Sequence, residues 1–283
     1  MTRKLLLLLK AIRFEHTLFA LPFALLSAFA AGHGVPSARQ LSWILVAMVA
    51  ARSSGMAVNR LADLEFDRRN PRTASWPVPA GLISPRGLWV FAVCCAGLLV
   101  VAAAMLNRLA LYLSPVAIAV MWGYSYLKRY TALSHFALGL VLAIAPVGAW
   151  IGVTGSIGFP AILLGLIVVL WTAGFDIIYA CQDVEFDRQE GLRSAPCNMG
   201  VGPALALSAG AHLVMLGLLL WFEYLMGLGT LFRAGIALSA LLLIYQHSIV
   251  RPSDLSRVNA AFFTANGTLS VALFVLGAAD ILR

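Results

Sequence analysis

The sequence predicts an all-α polytopic membrane protein with about nine transmembrane helices, in two similar four-helix halves plus a ninth helix. Three observations lead there. Of 283 residues, 61% are hydrophobic and 11% charged, where a soluble domain carries roughly 25% charged residues, and the mean hydropathy is +0.90. The apolar runs are long and unbroken, whereas a membrane barrel alternates over segments of about 10 residues. Only helices and closed barrels satisfy their backbone in lipid, so helices remain. The cations, finally, are segregated to one side of those runs. This balance excludes a secreted enzyme, a nucleic-acid-binding module and a disordered regulator.

A window of about 20 residues places spans near 17–33, 41–62, 86–106, 108–126, 132–153, 159–181, 201–221, 228–249 and 259–281. Ahead of them, Leu5 to Leu9 is too short for a signal-peptide core and is broken by Lys10 and Arg13. Residues 1–16 therefore read as an interfacial amphipathic segment leading into the first span. With the N-terminus cytoplasmic, that side holds 15 of the 20 cations and the opposite side four, Arg39, Arg108, Arg233 and Arg283. This is a positive-inside bias. Arg52 stands alone inside the second span. The odd span count puts the C-terminus outside, and the whole chain, 1–283, reads as one intramembrane domain. The polar loops 63–85 and 182–200 face the cytoplasm. The expected location is the bilayer of a bacterial inner membrane. Cys94, Cys95, Cys181 and Cys197 lack metal-ligand spacing and read as small apolar fillers.

The acids carry the chemistry. Eight of the 12 Asp and Glu fall in two short stretches: Asp63, Glu65 and Asp67, then Asp176, Asp183, Glu185, Asp187 and Glu190. Acids in a membrane protein are costly and usually functional. Asp63 and Asp67 recur as Asp183 and Asp187, displaced by 120 residues. Each pair ends an even-numbered span, consistent with the two-half arrangement. On a helix, Asn59, Asp63 and Asp67 share one face, and so do Asp176, Tyr179, Asp183 and Asp187. Two such helix ends could point their carboxylates at each other. Four carboxylates around one small space cannot all stay ionised without cations. Neighbouring arginines are one source of charge. A hard divalent metal is the other, and Mg²⁺ favours a few carboxylates completed by phosphate oxygens. Arg68, Arg69 and Arg72 follow the first motif, and Lys128 and Arg129 follow Tyr124 and Tyr126 at the end of the fourth span. Each alone serves as a membrane-side anchor; with a metal site on the same face, they favour a diphosphate cradle. Arg52 needs a counter-ion at its depth, and Asp176 is the expected partner.

These stretches are recognisable. GMAVNRLADLEFDRRNPRTASWPVPAG, residues 55–81, resembles the first signature of the UbiA-type intramembrane aromatic prenyltransferases, through Asn59, Asp63, Asp67, Arg72, Thr73, Pro77 and Gly81. DIIYACQDVEFDRQEGLRS, residues 176–194, resembles the second, through Asp176, Tyr179, Asp183, Asp187 and Gly191. YSYLKRYTALSH, residues 124–135, is similar to the family's connection between spans 4 and 5. The resemblance implies that Asp63, Asp67, Asp183 and Asp187 hold Mg²⁺ bridged to a polyprenyl diphosphate, with Asn59 assisting. It implies that Arg68, Arg72, Lys128 and Arg129 take charge from the departing diphosphate, leaving an allylic cation that an aromatic ring attacks. Tyr124, Tyr126 or Tyr179 would shield that cation by a ring face or else serve as structural tyrosines. Two positions depart from the pattern. Trp76 stands where members commonly carry Arg, and Arg60 stands where many carry Asp.

The chain looks closest to the 4-hydroxybenzoate polyprenyltransferase branch, which makes ubiquinone precursors. IRFEHTLFALPFALL and GFDIIYACQDVEFDRQEG also look like the enzymes of the futalosine route to menaquinone, which prenylate a dihydroxynaphthoate. Both acceptors are aromatic carboxylates with a ring hydroxyl. Glu15, His16 and His135 are candidates to touch the acceptor, against a packing role for each histidine. Haem, chlorophyll and archaeal-lipid branches are the competing prenyl acceptors. A cation transporter would place charge near the bilayer midplane, whereas these Asp pairs sit at one face. A structural subunit would need no paired acid clusters.

Overall fold

A computed structural model describes residues 7–8, 11–12 and 17–283. Glu15 and His16, and most of the expected interfacial segment, lie outside the described residues. The chain is helical, with no strand among the described residues. The elements are α1 (Thr17–Gly32), α2 (Ala38–Ala62), α3 (Leu64–Arg69), α4 (Pro85–Leu106), α5 (Arg108–Gly123), α6 (Ser134–Thr154), α7 (Phe159–Ala180), α8 (Val184–Gln189), α9 (Ala195–Met199), α10 (Val201–Met226), α11 (Thr230–Ile249) and α12 (Asn266–Ile281). Short 3-10 turns at Tyr124–Arg129 and Cys181–Asp183 extend α5 and α7, and a π-turn at Ala261–Ala265 leads into α12. Among the described residues, eight helices are long and apolar enough to cross a membrane. The apolar stretch Phe19–Gly32 of α1 is shorter. Each expected span has its helix.

Local signals set the boundaries. Ser84 caps α4 by accepting from the Gly87 N–H, with Pro85 at the first helical position. Asn107 caps α5 through the Ala110 N–H. Gly155 and Gly227 close α6 and α10 in the left-handed conformation.

The chain forms two compact units, residues 1–17 with 39–126, and residues 18–38 with 127–283. They do not follow the expected halves: α1, expected to open the first, belongs to the second unit. The cause is packing. Phe19, Phe23, Leu26 and Ala30 of α1 share one buried cluster with Trp171 and Phe175 of α7 and Phe222 of α10. Ser27 Oγ also donates to the Pro146 carbonyl of α6 at 2.6 Å. In the first unit, Ala11 and Ile12 are buried with Met56, Val58, Val78, Leu88 and Ala92. Large apolar side chains such as Val90, Leu213, Leu241 and Ile244 point outward, as lipid-facing helices require.

α7 is the central element of the second unit and packs on both α6 and α10. Small residues let it approach. A Cβ on Gly139 would lie 2.5 Å from the Val169 carbonyl oxygen and 2.8 Å from Val169 Cα. Because these are backbone atoms, nothing can move aside. Gly139→Val is expected to cost about 3 kcal/mol and to lower the melting temperature in detergent. Gly97→Ala, built into open space, should leave it unchanged.

Candidate functional site

In the first unit the acidic motif spans a helix break. α2 ends at Ala62 and α3 starts at Leu64. The Asp63 N–H still donates to the Asn59 carbonyl at 3.0 Å, and the Asp67 N–H to the Asp63 carbonyl at 2.8 Å. These i to i+4 bonds keep Asn59, Asp63 and Asp67 in helical register through the break, as the spacing predicts. Asn59 Nδ2 lies 3.4 Å from Asp63 Oδ2. Asp63 and Asp67 are 6% and 9% exposed, which makes two carboxylates in a dry environment four residues apart. Arg60 answers one of them, with Nη1 3.1 Å from Asp67 Oδ2.

The segment after α3 folds back on this motif. Thr73, fully buried, donates its hydroxyl to the Asp67 carbonyl at 2.9 Å, and Asn70 Oδ1 accepts from the Arg72 N–H at 2.9 Å. The Arg72-Thr73 pair thus ties the loop to the end of the motif helix. Arg68 is exposed and Arg72 half-buried. Gly81 closes the segment at φ +76°, with no atom near the position a Cβ would take. A left-handed turn, not crowding, demands glycine there. Gly191, four residues after Asp187, has φ +68° for the same reason. Tyr124 is half-buried and Tyr126 is exposed.

In the second unit the motif runs from α7 through the 3-10 turn Cys181–Asp183 into α8. Asp183 and Asp187 lie close enough to repel, and Lys128 offsets part of that charge. The Ser194 side chain hydrogen-bonds the Asp187 carboxylate, while its Oγ accepts the Cys197 N–H at the start of α9. The Arg193 N–H donates to the Lys128 carbonyl at 2.7 Å, so the loop after the motif is pinned beside Lys128. Lys128 and Arg129 are half-buried. Tyr179 packs on Phe262 of the π-turn, ring centroids 4.5 Å apart.

Of the two roles open to His135, acceptor contact and packing, the structure displays packing: the side chain is 3% exposed with both ring nitrogens engaged. Nε2 accepts the Ala195 N–H at 3.1 Å, and Nδ1 lies 2.7 Å from Asp176 Oδ2. A backbone N–H can only donate, so Nε2 is the bare nitrogen and Nδ1 carries the proton, donated to Asp176. Asp176 is thus engaged by a histidine of its own unit. Arg52 lies half-buried in α2. Sequence reasoning missed His135 as a strut and Ser194 as a support of Asp187, because 60 residues separate His135 from Ala195 and no local pattern signals the contact. The cysteines are free; Cys181 is buried and Cys94 exposed.

Among the described residues, no three His, Cys, Asp or Glu side chains gather closely enough to hold a metal by themselves. The donor set nonetheless suits a hard cation. Each unit carries a pair of carboxylates four residues apart, in the first unit nearly dry and in the second mutually repelling. A Mg²⁺ ion draws only part of its shell from protein.

The fold is that of an all-helical membrane protein with two acid-rich helix ends, each flanked by cations. The UbiA prenyltransferase family model matches residues 20–267, and the chain belongs to that family. It is an integral membrane prenyltransferase. The 4-hydroxybenzoate octaprenyltransferase of Serratia proteamaculans is 29% identical over 259 residues, covering 92% of this chain and 89% of its own length. That of Cupriavidus metallidurans is 31% identical over 233 residues, covering 81% and 78%. The apo structure of a UbiA homologue from Aeropyrum pernix K1 superposes with a TM-score of 0.81 at 33% identity, covering 94% of this chain and 97% of its own. A UbiA homologue from Archaeoglobus fulgidus, solved with DMAPP and Mg²⁺, shares the fold with a TM-score of 0.75 at 20% identity, covering 97% and 98%.

Proposed function

We propose that this chain transfers a polyprenyl group from a polyprenyl diphosphate to the ring of an aromatic acid of the 4-hydroxybenzoate type, in quinone biosynthesis. The observation that carries this reading is similarity along most of the chain to enzymes named for that acceptor, together with both acidic motifs.

Asp63, Asp67, Asp183 and Asp187 would hold Mg²⁺, with Asn59 assisting. When bound, the metal supplies positive charge to the oxygens of the leaving diphosphate. The chain's own residues do the rest. Arg68, Arg72, Lys128 and Arg129 bind diphosphate oxygens and stabilise the charge that grows as the allylic C–O bond breaks. Thr73 and Asn70 orient Arg72 by fixing its loop. Ser194 holds the Asp187 carboxylate in one orientation, and His135 fixes the loop that carries Ser194. Tyr124 and Tyr126 offer ring faces to the allylic cation. The ring carbon of the acceptor then attacks, and loss of its proton restores aromaticity. The prenyl tail stays in lipid throughout, which accounts for a site at a membrane face.

The resemblance of residues 12–26 and 174–191 to the menaquinone enzymes supports a second reading, 1,4-dihydroxy-6-naphthoate as acceptor. Purified protein in lipid, given Mg²⁺ and a polyprenyl diphosphate, separates the two when both acceptors are offered in parallel. Prenylated 4-hydroxybenzoate alone is the expected product. Product from the naphthoate alone assigns the second route, and Mg²⁺-independent product from either contradicts the mechanism.

A further inference from the structure

Arg60 and Trp76 are 16 positions apart in sequence, and the fold puts them together. The Arg60 guanidinium carbon stands 4.5 Å from the centroid of the Trp76 ring, and that of Arg72 stands 5.5 Å from the same ring. Arg60 also reaches Asp67 at 3.1 Å, and both of those side chains are only 12% exposed. Its Nε is buried with no hydrogen-bond acceptor among the described residues. A guanidinium has five donors, and leaving one dry and unpaired is costly. The Trp76 ring face offsets part of that cost by holding the guanidinium plane.

We infer that Arg60 is a diphosphate-binding residue held in reserve by Trp76. In the metal-free protein Arg60 neutralises the buried Asp67. When a divalent ion takes that carboxylate, the guanidinium is released from it but stays on the Trp76 ring, and its donors, the unused Nε–H among them, turn to the diphosphate. Arg72, on the same ring, is the second cation of this pair. The inference rests on the reading of Asp67 as a metal ligand.

The two roles have opposite signs, and that makes them measurable. Arg60 competes with the metal for Asp67 before the diphosphate arrives and assists binding afterwards. The test is Mn²⁺ binding to the full chain in nanodiscs, followed by electron paramagnetic resonance without substrate. Binding of geranyl thiolodiphosphate at saturating Mn²⁺ is then measured. Arg60→Ala should bind Mn²⁺ several-fold more tightly and the thiolodiphosphate about tenfold more weakly, the loss of a charge-assisted bidentate contact. Trp76→Ala should weaken thiolodiphosphate binding, and Trp76→Phe, which keeps a ring face, should restore it. Arg60→Lys keeps the charge without the plane and should fall between Arg60→Ala and the parent. Parallel weakening of both ligands in Arg60→Ala, or no change in either, overturns the inference. Should Arg60→Ala fail to fold, unchanged thiolodiphosphate affinity in both Arg60→Lys and Trp76→Ala overturns it instead. If Asp67→Asn leaves Mn²⁺ affinity unchanged, the metal reading itself fails, and that outcome is distinct from the others.

Discussion

Asp63→Asn and Asp183→Asn are each expected to lower kcat/KM for prenyl transfer by roughly 10²–10³-fold, the scale of removing one group that stabilises transition-state charge. The amide keeps the size and hydrogen-bonding of the acid but loses the charge that attracts a cation. The two positions are matched in the sequence pattern. Asp63 is nearly dry at a helix break, and Asp183 ends a 3-10 turn beside a second, repelling carboxylate. Folding should survive, because removing one charge from a crowded acidic pair relieves repulsion. The check is a steady-state assay over a Mg²⁺ series, with the melting temperature recorded for each variant. Activity within tenfold of the parent in either variant removes that motif from the mechanism.

The second large effect is expected at His135, through the residues it holds in place. Its Nδ1–H holds Asp176, and its bare Nε2 receives the Ala195 N–H; Ser194, the preceding residue, bonds Asp187. Outer-shell partners of this kind change metal affinity or activity by about 10–100-fold, so His135→Ala should fall in that range and need more Mg²⁺. Two conservative variants separate this role from packing. In His135→Asn the amide nitrogen takes the place of Nδ1, so the Asp176 bond is kept and the Ala195 bond lost. In His135→Gln the amide oxygen reaches the place of Nε2, so the Ala195 bond is kept. Glutamine should preserve the Mg²⁺ requirement better than asparagine. Equal behaviour of the two, or asparagine outperforming glutamine, contradicts the strut.

What the sequence made legible follows from the range of the interactions. Helix spans, caps and the shared face of Asn59, Asp63 and Asp67 depend on residues within a few positions of each other. Hydropathy and period reach that far, and the backbone bonds at Asp63 and Asp67 match the expected register. The remainder depends on tertiary contacts. For a partner of Asp176 the sequence offers only depth in the membrane, and depth carries no sign of His135 on α6, which reaches it from 41 positions away. α1 was grouped with its chain neighbours, but its phenylalanines fit against Trp171 and Phe175. Arg60 and Trp76 read as two separate losses until the fold stacked one on the other.

Both acidic motifs are proposed to serve one metal-dependent diphosphate site. Calorimetric titration of geranyl thiolodiphosphate into the protein in nanodiscs, with and without Mg²⁺, tests it most directly when repeated on Asp63→Asn and Asp183→Asn. The account predicts binding that requires Mg²⁺ in the parent and is lost in each variant. Binding of equal strength without Mg²⁺, or binding that persists in either variant, would contradict it.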